Sequence, residues 1–170
     1  MLPRRALLLG LIAALGACNF RPLYLAQGAD ATAVHSELAA IEIRGLDGRL
    51  GYLLRNALLD ELNPATADVP PRYILDVDLS SSARALGIQL DNTITRYNLS
   101  LTARFQLREK AADEVLVTST VRQVASYNVS REPYADLVAA QDAERRAAQE
   151  VAVDIRTLLA VQFARTRALT

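Results

Sequence analysis

Few side chains in this sequence could do covalent chemistry, and the one whose position invites it is Cys18, the only cysteine. Its thiol follows Leu15-Gly16-Ala17, where two small residues let a peptidase approach the backbone and leave a nucleophile able to take up a lipid chain. Arg4 and Arg5 precede it, and Ala6 to Leu15 supplies ten uncharged residues between them. A helix needs roughly 20 to cross a bilayer, so the run reads as a processing signal over residues 1–17 and not as a span.

Other candidates for catalysis are weaker. Ser80-Ser81-Ser82 lacks the glycine-flanked elbow of a nucleophilic serine, and His35 is the single histidine, too few for a metal cluster or a base relay. Asp76 and Asp78 stand two apart, on one side of a strand, where neighbouring carboxylates mostly serve solvation. Gly45, Gly48 and Gly51 frame a turn into a helix and do not form a phosphate loop. Tyr97 and Tyr127 alternate with core residues, which places them inside and not in a ligand-stacking site. We therefore expect no catalytic residue, no metal and no cofactor beyond a covalent lipid on Cys18.

Composition narrows the partners. The 170 residues carry 19 basic and 19 acidic side chains; removal of 1–17 takes Arg4 and Arg5, leaving 17 against 19, a formal −2. Nothing in that balance suggests nucleic acid. With Cys18 lipidated no thiol is left for disulfides. About 150 remaining residues suffice for one domain.

The elements that would position a binding surface follow from periodicity. Residues 18–40 show no sustained period and read as a lipidated tether, with order beginning near Ile41. Ile41 to Arg44 alternates as a short strand. Leu50, Leu53, Leu54, Ala57, Leu58 and Leu62 recur at helical steps, ended by Asn63-Pro64, because the residue before proline is pushed out of the helical region. Tyr73, Leu75, Val77 and Leu79 make a second strand, with Ile74 the one apolar residue on its outward side. In the third, Tyr97, Leu99, Leu101, Ala103, Phe105 and Leu107 oppose Arg96, Asn98, Ser100, Thr102, Arg104, Gln106 and Arg108. A polar reversal at 109–113 leads to a fourth, with Val115, Val117, Val121, Ala125, Tyr127 and Val129 inward, forming an antiparallel hairpin. From Pro133 a long helix runs to about residue 165, its apolar positions including Leu137, Ala148, Val151, Ala152, Ile155, Leu158, Leu159 and Phe163. The expectation is an α+β domain over 41–165, a four-stranded mainly antiparallel sheet with two helices on one face in the order strand-helix-strand-strand-strand-helix, and a tail at 166–170. The other face stays polar.

The start of the mature chain is similar to bacterial lipoprotein signals, which implies acyl chains on Cys18 and its freed amine. Cys18-Asn19-Phe20-Arg21-Pro22-Leu23-Tyr24, Arg96-Tyr97-Asn98-Leu99, and Ser126 to Ser130 leading through Tyr134-Ala135 into the last helix resemble the LPS-assembly lipoprotein LptE family, formerly rare lipoprotein B. That resemblance implies a sheet packed by two helices and a non-enzymatic plug that joins the LptD outer-membrane barrel and helps deliver lipopolysaccharide. It also implies basic contacts to lipopolysaccharide near strand ends, where Arg84, Arg96 and Arg131 stand. Between Pro133 and Asp142, where the family pattern expects a basic residue, this chain has Gln141 and no Lys or Arg. Asn19 after the lipid site accords with sorting to the outer membrane. The competing expectation is an auxiliary lipoprotein of a periplasmic lipid-trafficking transporter, whose members can share the lipidated cysteine and aromatic cluster.

Overall fold

Alternation and helical spacing become physical pairing in the computed structural model, which describes residues 29–63, 69–88, 94–130 and 132–168. The chain divides into two units, Met1–Thr32 and Ala33–Thr170; the first lies outside the described residues except for the opening turn of a helix, and the second holds the sheet. The elements are α1 (Ala29–Ala39), β1 (Ile41–Arg44), α2 (Gly48–Leu62), β2 (Tyr73–Ile88), β3 (Ile94–Glu109), β4 (Val115–Asn128) and α3 (Pro133–Ala168).

The sheet order is β1-β2-β3-β4. β1 pairs with β2 in parallel, which requires a crossover, and α2 supplies it. β2 with β3 and β3 with β4 are antiparallel neighbours joined in sequence. The fold class is the α+β expected from the sequence. The turn from β1 into α2 depends on two glycines. Gly45 sits at φ 77°, and a Cβ there would stand 3.0 Å from the Val77 carbonyl oxygen. At Gly51, inside the first turns of α2, a Cβ would come within 2.7 Å of the Leu46 carbonyl carbon.

One sheet face is buried. Leu75, Val77, Leu101, Ala103, Phe105 and Leu107 point into it, and the helices close over it with Leu54 and Leu58 of α2 and Ala147, Ala148, Val151, Ala152, Ile155 and Leu159 of α3. The alanines let α3 approach closely. Arg49 pairs with Glu144 at 3.1 Å and Glu61 with Arg156 at 3.8 Å, so α2 and α3 run side by side in the same direction.

Four expectations need correction. The last part of the supposed tether, residues 29–39, is helix α1, and Leu38 and Ala40 are each only 2% exposed, so the core begins before Ile41. The Ala40 carbonyl accepts from the backbone N–H groups of both Arg72 and Tyr73, while Glu37 accepts the Tyr73 hydroxyl at 2.8 Å and pairs with Arg72 at 3.2 Å. Tertiary packing therefore orders a segment that shows little helical patterning of its own. Second, β2 extends through the small polar run to Ile88, because β3 pairs with it all the way. Third, Val115 is half exposed, since a register shift at Leu107/Arg108 sets it opposite Arg108 instead of inward. Fourth, Leu137 and Leu158 of α3 are exposed and outside the apolar stripe. Residues 18–28, read as the tether's first part, lie outside the described residues.

Candidate binding face

Period-2 geometry sends every second side chain of β2, β3 and β4 to the uncovered face, and the register decides which of them meet. Near β1 the charges neutralise one another. Glu42 pairs with Arg44 at 2.7 Å and Lys110 at 3.1 Å, and Arg108 pairs with Asp76 at 2.6 Å and Asp113 at 3.3 Å. The Arg44 hydrogen bond, then that of Lys110, holds the Glu42 carboxyl below the usual carboxylate range. Ile74, opposite Arg108 and beside Glu42, is buried on this side despite facing away from the core. Asp76 is thus engaged in an ion pair, and Asp78 stands opposite Arg104 in the register.

At the far end of the strands the balance is different. Arg84, Arg96 and Arg122 form no ion pair with a carboxylate among the described residues. Arg84 opposes Asn98, so Arg96 is its diagonal neighbour. The Arg122 Nε donates to the Ser100 hydroxyl at 2.7 Å, and the Arg96 Nε to Asn128 Oδ1 at 3.1 Å. A shallow concavity of about 250 Å³ opens here, lined by Ser82, Arg84, Leu86, Asn98, Ser100, Arg122 and Val124. Leu86 is 58% and Val124 51% exposed. Guanidinium groups beside bare aliphatic surface suit an anionic group carried on an apolar body, since Arg presents paired donors to phosphate or carboxylate oxygens.

Of the residues singled out in the sequence, Arg84 lines the concavity and Arg96 stands two residues along β3 from its lining residue Asn98. Arg131 and Cys18 lie outside the described residues. His35 is exposed on α1, and the Ser80 to Ser82 run lies within β2. No group of three His, Cys, Asp or Glu that could hold a metal occurs among the described residues. Tyr97 and Tyr127 stack with centroids 5.6 Å apart on the covered side, and burial pushes the Tyr127 phenol up. Arg122 is the residue that sequence reasoning passed over as a site. Its outward position was legible, but its approach to Ser100 depends on the β3–β4 register.

A sheet shielded by helices on one side and open on the other, with cations that lack carboxylate partners at one end, defines an α+β domain with one free sheet face. The LptE lipopolysaccharide-assembly family model matches residues 23–162. Among solved structures, a Caulobacter crescentus protein assigned as a lipoprotein shares 29% identity at TM-score 0.67, over 79% of this chain and 97% of its own. Rare lipoprotein B from Shewanella oneidensis follows at 14% identity and TM-score 0.57, over 75% and 96%, and a minor lipoprotein from Acinetobacter baumannii at 18% and 0.51, over 71% and 88%. The last two are evidence of fold alone. No curated protein matches the sequence. The chain belongs to the LptE family, and its role lies in lipopolysaccharide assembly. Among the described residues no helix is long and apolar enough to cross a membrane.

Proposed function

We propose that this chain is an outer-membrane lipoprotein, held by acyl chains on Cys18, that forms a complex with an LptD-type barrel as its plug and assembly partner in lipopolysaccharide transport. It works without catalysis or a further cofactor. The wet sheet face suits the aqueous lumen of a large barrel, whose interior is polar. Lipopolysaccharide phosphates meet Arg84 and Arg96, joined by Arg122 and by Arg131. The observation that carries this reading is the set of arginines without carboxylate partners at one end of an exposed sheet face, in a chain of a lipopolysaccharide-assembly family.

The test is extraction of membranes in detergent, capture of the full chain at high salt and identification of what stays bound. A large outer-membrane barrel together with lipopolysaccharide is the expected result. Recovery of an inner-membrane or periplasmic lipid-transfer complex in its place refutes the barrel reading and supports the auxiliary-lipoprotein alternative.

A further inference from the structure

The sheet ends on β4, and the direction of that strand's backbone groups follows from two hydrogen bonds. Val129 N–H donates to the Thr95 carbonyl of β3, so residue 129 faces β3, and in an antiparallel ladder the odd-numbered residues of β4 share that direction. The Ser126 carbonyl accepts from Arg146 Nη2 of α3 on the opposite side, which fixes the even-numbered residues as outward. Thr118, Thr120, Arg122 and Val124 therefore present N–H and C=O groups along an edge that no described strand occupies.

Such an edge is a template for another chain unless it is blunted by proline, charge, a bulge or a cover. Here the bulge lies only at the β4 start and the Arg146 cover only at Ser126. β4 contains no proline and no acidic residue, and its one charge is Arg122. Arg104 stands on the same face one strand further in, between Thr120 of β4 and Asp78 of β2. Along the same edge, between β4 and α3, runs a concavity of about 360 Å³ lined by Gln123, Ala125, Arg146, Ala147 and Glu150 among others.

We infer that the β4 edge accepts an extended segment of a partner protein as a fifth strand, one that alternates acidic residues toward Arg122 with small residues toward the β4–α3 concavity. The backbone ladder supplies the attachment and the side-chain alternation the selectivity. Charge decides against a second copy of this chain: an antiparallel β4–β4 pairing would bring the two Arg122 side chains onto one face with no acid from either strand. This inference is independent of the barrel reading, because it concerns the strand edge and a peptide and not the sheet face and lipopolysaccharide.

The test is amide hydrogen exchange on the full chain with a capped eight-residue peptide alternating glutamate and valine, at up to about 1 mM. The expected result is exchange slowed roughly tenfold at the even-numbered amides from 118 to 124, with the odd ones unchanged. The same peptide N-methylated on alternate residues gives no protection, and a lysine-for-glutamate peptide binds at least about tenfold more weakly. Thr120→Pro, which removes an outward N–H and no ladder bond, abolishes protection while leaving the unfolding midpoint nearly unchanged. Arg122→Glu loses the glutamate peptide and gains the lysine one. Absence of protection in the unmodified chain overturns the proposal, as does protection indifferent to peptide charge. Protection that appears without peptide and grows with protein concentration overturns it in favour of self-pairing.

Discussion

Tyr73 carries more of the architecture than its size suggests. Its hydroxyl donates to Glu37, its ring lies 5.1 Å from Phe163, and its phenol is pushed up to about 12, by burial first and by Glu37 second. Below pH 10 the phenol is protonated whether the chain is folded or not, and its contribution is complete. Between pH 10 and about 12 the unfolded phenol ionises while the folded one keeps its proton, so stability falls as pH rises through that window. Urea unfolding across pH 9 to 12 should show this fall, and Tyr73→Phe should reduce it while costing about 1 kcal/mol near neutrality through the lost hydrogen bond. Gly51 gives a second expectation at this scale. An alanine inside a helix usually stabilises by about 0.5–1 kcal/mol relative to glycine, yet at this position the Leu46 backbone stands in the way. Gly51→Ala should lower stability by about 1–3 kcal/mol in the same assay.

Among the elements, those with a strong period were legible in the sequence. The β3 alternation from Arg96 to Arg108, the α2 leucines and, apart from Leu158, the α3 stripe from Ala148 to Phe163 take the predicted faces, because each must bury one side against the other layer. What was illegible depends on partners distant in the chain. α1 has little amphipathic signal; Leu38 is buried, and the N–H groups of Arg72 and Tyr73 hold the chain just after the helix through the Ala40 carbonyl. Residues 81–88 are strand because β3 lies alongside, and Val115 turns outward because of a register shift invisible in local sequence. The same limit hid the approach of Arg122 to Ser100. If α1 belongs to the core, Leu38→Ala should cost about 2–5 kcal/mol in chemical denaturation, whereas a residue in a solvated tether would cost almost nothing. Ala147→Leu should cost about 1–3 kcal/mol by forcing α3 away from the sheet.

For the whole molecule, the uneven distribution of charge matters more than the nearly neutral total. One end of the wet face is neutralised by its own ion pairs and the other offers Arg84, Arg96 and Arg122 to a visitor. Replacing Arg84 and Arg122 together by Glu should weaken lipopolysaccharide retention by roughly tenfold or more, read by co-elution, with the unfolding midpoint little changed because neither forms an ion pair within the described fold. Cys18→Ala should leave the domain folded but shift it from the membrane pellet to the soluble fraction when no partner is present. The Ala40 carbonyl and the Glu37 carboxylate fasten α1 to the first two residues of β2's approach, Arg72 and Tyr73. Tension on the chain ahead of α1 is consequently delivered at the root of β2, about 35 Å along the strand from Arg84. A pull applied to α1 would therefore meet a braced corner of the sheet, well away from the arginine end.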